Sequence, residues 1–215
     1  MKSITKYIAK QFGKPSGFGG LISTFVMNRL NGKQYRAVLN NLNLQSTDTI
    51  LDIGFGNGYL IGKLLKRNPT KIYGIEISQD MRNKVGRKNK QAISTGRLDL
   101  RLADIKELPF ENACFDKICT INTLYFWNDT ESSFAEIKRT LKPNGIFLNT
   151  VYTKEWLDRL PYTQYGFSKY SVEQIVKMTE KSGLKVIRVI EIQPEISFCI
   201  IAEKSINNEY GNIQA

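Results

Sequence analysis

The chain has no histidine, only three cysteines and, from Met1 to Thr47, not one aspartate or glutamate. Each absence excludes something. Without imidazole, Ser-His-Asp and Cys-His mechanisms are closed, because both use histidine to take the nucleophile's proton. Cys114, Cys119 and Cys199 are too few and too scattered for a disulfide framework or a cysteine-only zinc site. No metal is therefore expected, and a reduced cytoplasmic setting is the natural one. No apolar run approaches the roughly 20 residues that span a bilayer. The N-terminus carries lysines but lacks the apolar core of a secretory signal.

The missing acids leave the first 47 residues purely basic, through Lys2, Lys6, Lys10, Lys14, Arg29, Lys33 and Arg36. A second cluster, Arg82, Lys84, Arg87, Lys88 and Lys90, follows, and the net charge is +11. Two readings fit: solvated helix faces, or attraction to an anionic partner such as nucleic acid or a membrane surface. Otherwise the composition is ordinary. With 41% hydrophobic and 24% charged residues, 215 residues suffice for one domain with a full core.

The most informative segment is Ile50 to Gly58, ILDIGFGNG. An apolar run ends in Asp52, and Gly54, Gly56 and Gly58 follow at alternate positions. This reads as a buried strand stopping at the rim of a parallel sheet. Its glycines let the backbone turn tightly and approach a ligand without a Cβ in the way. A helix beginning near Tyr59 then points free N–H groups at that ligand. A tight strand-to-helix turn alone would also use glycines, so the flanks decide. A dinucleotide fingerprint needs its third glycine one residue later, and a Walker loop needs a Lys-Ser/Thr pair that is absent. Asp52 would repel a pyrophosphate and suits an ammonium. S-adenosylmethionine, with an amino-acid end, a ribose, an adenine and no phosphate, fits better.

Strand-like and helical runs alternate after residue 48. The strands are expected at Thr49–Ile53, Lys71–Ile75, Leu98–Ala103, Lys117–Asn122, Gly145–Tyr152, Val186–Gln193 and Ser197–Glu203. The helices are expected at Tyr59–Lys66, Gln79–Lys90, Thr130–Leu141 and Ser171–Ser182. This predicts an α/β fold: a Rossmann-like, doubly wound sheet of seven strands, mostly parallel, with helices on both faces. A turn around Pro194 makes the last strand antiparallel. Residues 1–47 read as an N-terminal helical lid (Ser3–Phe12 and Gly20–Asn41, parted by a loop from Gly13 to Gly19). Residues 48–205 form the ligand-binding domain, with an aromatic-rich lid insertion at 153–170, and 206–215 a frayed tail.

In such a sheet the ligand lies beyond the carboxyl ends of the strands. The second strand ends at Glu76, 18 residues after Gly58, where an acid can accept from both ribose hydroxyls. Ser78 can cap the next helix. The third ends at Asp104, which either accepts from the adenine amine or simply starts a helix, while Ile77 and Ile105 sandwich the ring. At the end of the fourth, Asn122, Thr123 and Tyr125 lie beneath the reactive end. Phe126 and Trp127 read as core or lid packing.

The motifs LDIGFGNG (51–58), YGIEIS (73–78), LADIKELPFENACFDKI (102–118) and LKPNGIF (141–147) cover about half the chain in order and spacing. Together they resemble the class I S-adenosylmethionine-dependent methyltransferases, closest to the small-molecule branch of the ubiquinone/menaquinone-biosynthesis type (methyltransferase type 11). The resemblance implies that Asp52, Gly54, Phe55, Gly56 and Gly58 hold the methionine portion, Glu76 with Ile77 and Ser78 the ribose side, and Asp104 with Ile105 the adenine. Asn122 then lies at the methyl-bearing end, and S-adenosylhomocysteine is the product. The chain departs from the branch after the fourth strand, where many members read Leu-His-His and this one reads Leu124-Tyr125-Phe126-Trp127.

Methyl transfer from a sulfonium mainly needs a nucleophile held about 3 Å from the methyl carbon, in line with the sulfur, with water excluded. A base matters only for a protonated nucleophile. Without histidine the candidates are Tyr125, Tyr7 or Glu155, with Tyr125 preferred. Phe12, Phe18, Trp156, Tyr162 and Tyr165, with Tyr7 and Tyr125, either line a site for an apolar or aromatic acceptor, cradle an amine, or pack the lid. A small-molecule acceptor is the preferred partner. RNA or a lipid head group, recruited by the basic segment, and a non-catalytic ligand-binding role are the alternatives.

Overall fold

The computed structural model describes residues 2–13 and 31–205. Phe18, Lys14, Arg29, most of the expected Gly13–Gly19 loop and the 206–215 tail lie outside the described residues, as does the side chain of Phe12. Among the described residues two helices precede the sheet, α1 (Lys2–Gly13) and α2 (Gly32–Asn41). Then come β1 (Thr49–Ile53), α3 (Tyr59–Leu65), β2 (Lys71–Glu76), α4 (Gln79–Lys88), α5 (Lys90–Ser94), β3 (Leu98–Leu102) and β4 (Phe115–Ile121). A 3-10 turn, Leu124–Phe126, leads to α6 (Thr130–Thr140) and β5 (Leu141–Tyr152). The chain finishes with α7 (Lys154–Asp158), a 3-10 turn at Pro161–Gln164, α8 (Val172–Lys181), β6 (Lys185–Gln193) and β7 (Ser197–Glu203).

The strands form one sheet of seven in the order β3-β2-β1-β4-β5-β7-β6. β1 pairs parallel with β2 and β4, and β7 runs antiparallel to both β5 and β6. β1 shows why its sequence is almost unbroken apolar. Leu51 and Ile53 face the core that holds Phe134, Ile137 and Ile175 from α6 and α8, and Ile50 faces the core that holds Val38, Ile61 and Val85 from α2, α3 and α4. A strand covered by helices on both faces has no solvent side to alternate with. The strand order reverses between β1 and β4, so their carboxyl ends flank a crevice where a ligand can enter.

Several element ends shift by one or two residues from the sequence expectation, and two differences are larger. The expected Gln79–Lys90 helix breaks at Asn89, separating α4 from α5. Helix α6 passes at Leu141 directly into β5, so the Lys142-Pro143-Asn144-Gly145 stretch belongs to the strand, with Asn144 at φ 60° and an irregular register beside Phe115. Among the described residues no helix is long and apolar enough to cross a membrane.

Candidate functional site

β1 delivers the chain to the crevice, and all three glycines turn it there with positive φ: 68° at Gly54, 52° at Gly56 and 73° at Gly58. Such angles cost a residue with a side chain about 1–2 kcal/mol. The reasons differ by position. A Cβ on Gly54 would lie 2.4 Å from Thr123 Cγ2, and one on Gly58 2.7 Å from Val85 Cγ1, whereas one on Gly56 would meet nothing within 4 Å. Gly54 and Gly58 are therefore demanded by packing, and Gly56 leaves open space toward the cavity.

Glu76 braces this loop. Its Oε2 accepts from the Gly56 N–H and its Oε1 from the Ser78 N–H, both at 2.9 Å, so one buried carboxylate ties the glycine turn to the start of α4. Ser78 is used as the helix cap, its Oγ accepting from the Met81 N–H at 3.3 Å. Asp104 is exposed, and its Oδ1 accepts from the Lys106 N–H at 3.1 Å. Ile77, 41% exposed, and the buried Ile105 stand on the same wall.

These residues enclose a cavity of about 980 Å³, open solvent included. Of the residues expected at a cofactor, Gly54, Phe55, Gly56, Glu76, Ile77, Asp104, Ile105 and Asn122 line it. Asp52, Gly58 and Ser78 are not among its lining residues. Asp52 is 3% exposed, its Oδ2 has no hydrogen-bond partner, and burial, assisted by the charge of Glu76, raises its pKa to about 8. Tyr35 does line the cavity, and burial followed by the charge of Asp52 holds its phenol far above the ordinary range.

A second cavity of about 710 Å³ adjoins the first, and the two share Asn31, Asn122 and Phe126. Its walls are aromatic and aliphatic, with Trp156 and Tyr162 from the insertion beside Tyr125 and Phe167. Tyr165 and Glu155 do not line it, and Tyr7, 54% exposed on α1, lines neither cavity.

At the junction is a buried amide cluster. Asn122, at φ 59°, donates through Nδ2 to Gln34 Oε1 at 2.7 Å, and Gln34 Nε2 donates back to Asn122 Oδ1 at 3.2 Å. Tyr152 Oη donates to Asn31 Oδ1 at 2.8 Å. The Tyr125 hydroxyl lies 3.1 Å from Asn122 Oδ1 and accepts from the Tyr152 N–H. Tyr125 is only 3% exposed, and burial raises its pKa well above the usual phenol value. A buried phenol engaged in this way stays protonated near neutral pH, which speaks against its serving as the general base expected from the sequence.

The sequence reading missed Asn31, Gln34, Tyr35 and Tyr152. A signal existed for the first three. Positions 31, 34 and 35 are spaced i, i+3 and i+4, so they share one helix face. Polar residues on that face read as solvated when nothing shows what covers them. Replacing Gln34 by Leu leaves the buried Asn122 amide unpaired and should lower stability by about 1–3 kcal/mol. Urea unfolding measures this, and an unchanged midpoint would refute the pairing.

Among the described residues no group of three or more metal-ligating side chains gathers. The family model of a methyltransferase domain matches residues 51–149. The uncharacterized methyltransferase YdaC of Bacillus subtilis strain 168 is 28% identical over 187 residues, covering 86% of this chain and 98% of its own length. An O-methyltransferase of Pyrenophora dematioidea is 34% identical over 109 residues, covering 50% of this chain but 40% of its own. Among solved structures, a geranyl diphosphate methyltransferase in complex with S-adenosylmethionine superposes with a TM-score of 0.73 at 16% identity, over 90% of this chain and 94% of that one. That likeness concerns the fold.

Proposed function

Given that the chain belongs to the class I S-adenosylmethionine-dependent methyltransferases, we propose that the cavity at the glycine turn takes S-adenosylmethionine and the adjoining aromatic cavity takes a small apolar acceptor. The observation that carries this is the meeting of two chemically different cavities at Asn122, one edged by glycines and carboxylates, the other by rings.

The residues suit the cofactor. Gly56 leaves space a Cβ would fill, and the orphaned Asp52 Oδ2 is a buried acceptor short of a cationic partner. The remaining acceptor capacity of Glu76 would meet ribose hydroxyls, and Asp104 between Ile77 and Ile105 would meet the adenine. When bound, the cofactor supplies an electrophilic methyl group on a sulfonium. The protein's own part is to hold the acceptor, exclude water and keep both cavities in register through the Gln34–Asn122 pair.

On this reading residues 1–47 and 153–170 cover the site. Gly13 of α1 lines the cofactor cavity, α2 contributes Asn31 and Tyr35, and the insertion contributes Trp156 and Tyr162. Turnover of labelled S-adenosylmethionine against phenols, amines, thiols, quinols and tRNA tests the assignment. Label transferred to tRNA in preference to every small molecule would overturn the small-molecule reading. Tyr125→Phe should keep most of the transfer rate while costing about 1 kcal/mol of stability through the lost hydroxyl bonds. A rate fallen a hundredfold with a folded protein would restore Tyr125 as a catalytic group.

A further inference from the structure

The aromatic cavity is defined by what its wall omits. Among the described residues, none lining it is Asp, Glu, Lys or Arg. Six rings form most of it: Tyr125, Phe126, Tyr152, Trp156, Tyr162 and Phe167. Phe167 is the hub, its centroid 4.7 Å from Phe126, 5.8 Å from Tyr125 and 6.2 Å from Tyr162. Three polar groups on the wall, the Tyr125 and Tyr152 hydroxyls and the Asn122 amide, already have partners. The Tyr125 hydroxyl serves Asn122 and the Tyr152 backbone, the Tyr152 hydroxyl serves Asn31, and the Asn122 amide serves Gln34. Burial holds the Tyr125 and Tyr162 phenols above their ordinary value and pushes that of Tyr152 up to about 12.

Such a wall discriminates by charge. Ring faces carry the negative part of the aromatic quadrupole, so they attract a cation and give an anion nothing. Among the described residues no cationic side chain on the wall could anchor a carboxylate or phenolate, and no carboxylate there could generate one. Residues 14–30 cannot supply the base either, since that stretch contains no aspartate, glutamate or histidine. Its cations are Lys14 and Arg29, and an anionic probe tests whether they matter.

We infer that this cavity accepts an apolar amine, arriving as the free base, whose methylation places a positive charge among the six rings. The inference rests on the reading of this cavity as the acceptor site. The amine lone pair forms the new N–C bond as the methyl–sulfur bond breaks with its electron pair left on sulfur, so the positive charge passes from sulfur to nitrogen. A tertiary amine gives a quaternary ammonium and has no proton to lose. A base-free wall suffices for that chemistry.

The test is a binding comparison that needs no turnover. Phenethyltrimethylammonium, its uncharged carbon isostere (3,3-dimethylbutyl)benzene and the anion 3-phenylpropionate are titrated into the full chain with S-adenosylhomocysteine present. The cation should bind at least about tenfold more tightly than the isostere, the scale of desolvated cation–π contacts. The anion should bind more weakly than either. In Trp156→Leu the gap between cation and isostere should narrow. The comparison within the unmodified protein stands even if that variant does not fold. An isostere that binds as well as the cation, or an anion that binds best, overturns the inference. If labelled methyl transfer favours an apolar phenol or acid and is lost in Trp156→Leu, the acceptor-site reading survives and the amine falls. If neither S-adenosylmethionine nor its product binds, that reading falls and takes the inference with it.

Discussion

Asp52→Asn should make the ligand-free protein more stable at pH 8 while weakening S-adenosylmethionine binding at least tenfold. Both effects come from one buried carboxyl group. An unfolded aspartate titrates near pH 4, whereas burial and the nearby Glu76 raise the folded value to about 8. Between those limits the folded state keeps a proton that the unfolded chain has lost. Stability therefore falls as pH rises through this window, and the loss is complete above pH 8. Asparagine has nearly the same shape and does not ionise. At pH 8 the variant should gain about 2–4 kcal/mol, several degrees in Tm, and at pH 4 almost nothing. Equal melting temperatures of the two proteins at pH 8 would refute the assignment of the shifted group.

The binding half of the prediction follows from the same group. A cationic ligand end would favour the ionised carboxylate, so binding near pH 7 should release protons. Calorimetry in buffers of different ionisation enthalpy reads that release directly, and Asp52→Asn should abolish it. A tenfold loss corresponds to about 1.4 kcal/mol. Unaltered affinity in both Asp52→Asn and Glu76→Ala would leave the cofactor assignment without support.

The glycine turn carries the second large effect, and its three positions should respond differently. Gly54→Ala places a Cβ 2.4 Å from Thr123 Cγ2 at a φ of 68°. Strain and overlap add there, and Thr123 has little freedom to retreat, since its hydroxyl lies against Thr120 and accepts from Trp127 Nε1 at 3.1 Å. A loss of about 3 kcal/mol or more is expected. Gly58→Ala meets Val85 at 2.7 Å and should behave similarly. Gly56→Ala meets nothing within 4 Å, so its stability cost should stay near the conformational strain alone, about 1–2 kcal/mol. Yet it is the substitution that should remove binding from a folded protein, because its methyl group enters the space left for the ligand. Denaturant midpoints and calorimetry on the three variants separate these outcomes. A Gly56→Ala protein that binds normally would place the ligand elsewhere.

The pattern of success along the chain has physical reasons. That Gly56 and Glu76 come to the crevice was legible because each sits at the end of an apolar run, and in a parallel sheet a strand end has one direction to face. The surroundings of Tyr125 were not legible, because sequence position alone does not report burial or hydroxyl partners: its phenol is enclosed by Phe126, Phe167 and the Tyr152 backbone. Tyr7 was misplaced for the opposite reason, an aromatic residue on an exposed helix face. Asn31 and Gln34 went unread because their partners, Tyr152 and Asn122, are 121 and 88 residues away in the chain.

By itself the sequence determined the α/β class, the parallel sheet, the glycine turn and the absence of any histidine-based mechanism. All of these depend on local pattern, composition or short spacing. Tertiary structure alone decided which carboxylate is orphaned, which glycine faces open space, and that an amide pair joins the N-terminal helix to the end of β4. It also decided that aromatic residues of the insertion line a cavity whose described walls carry no charged side chain. Those properties depend on contacts between distant segments, and burial, which raises the pKa of Asp52 and shapes the aromatic cavity, exists only once those segments meet.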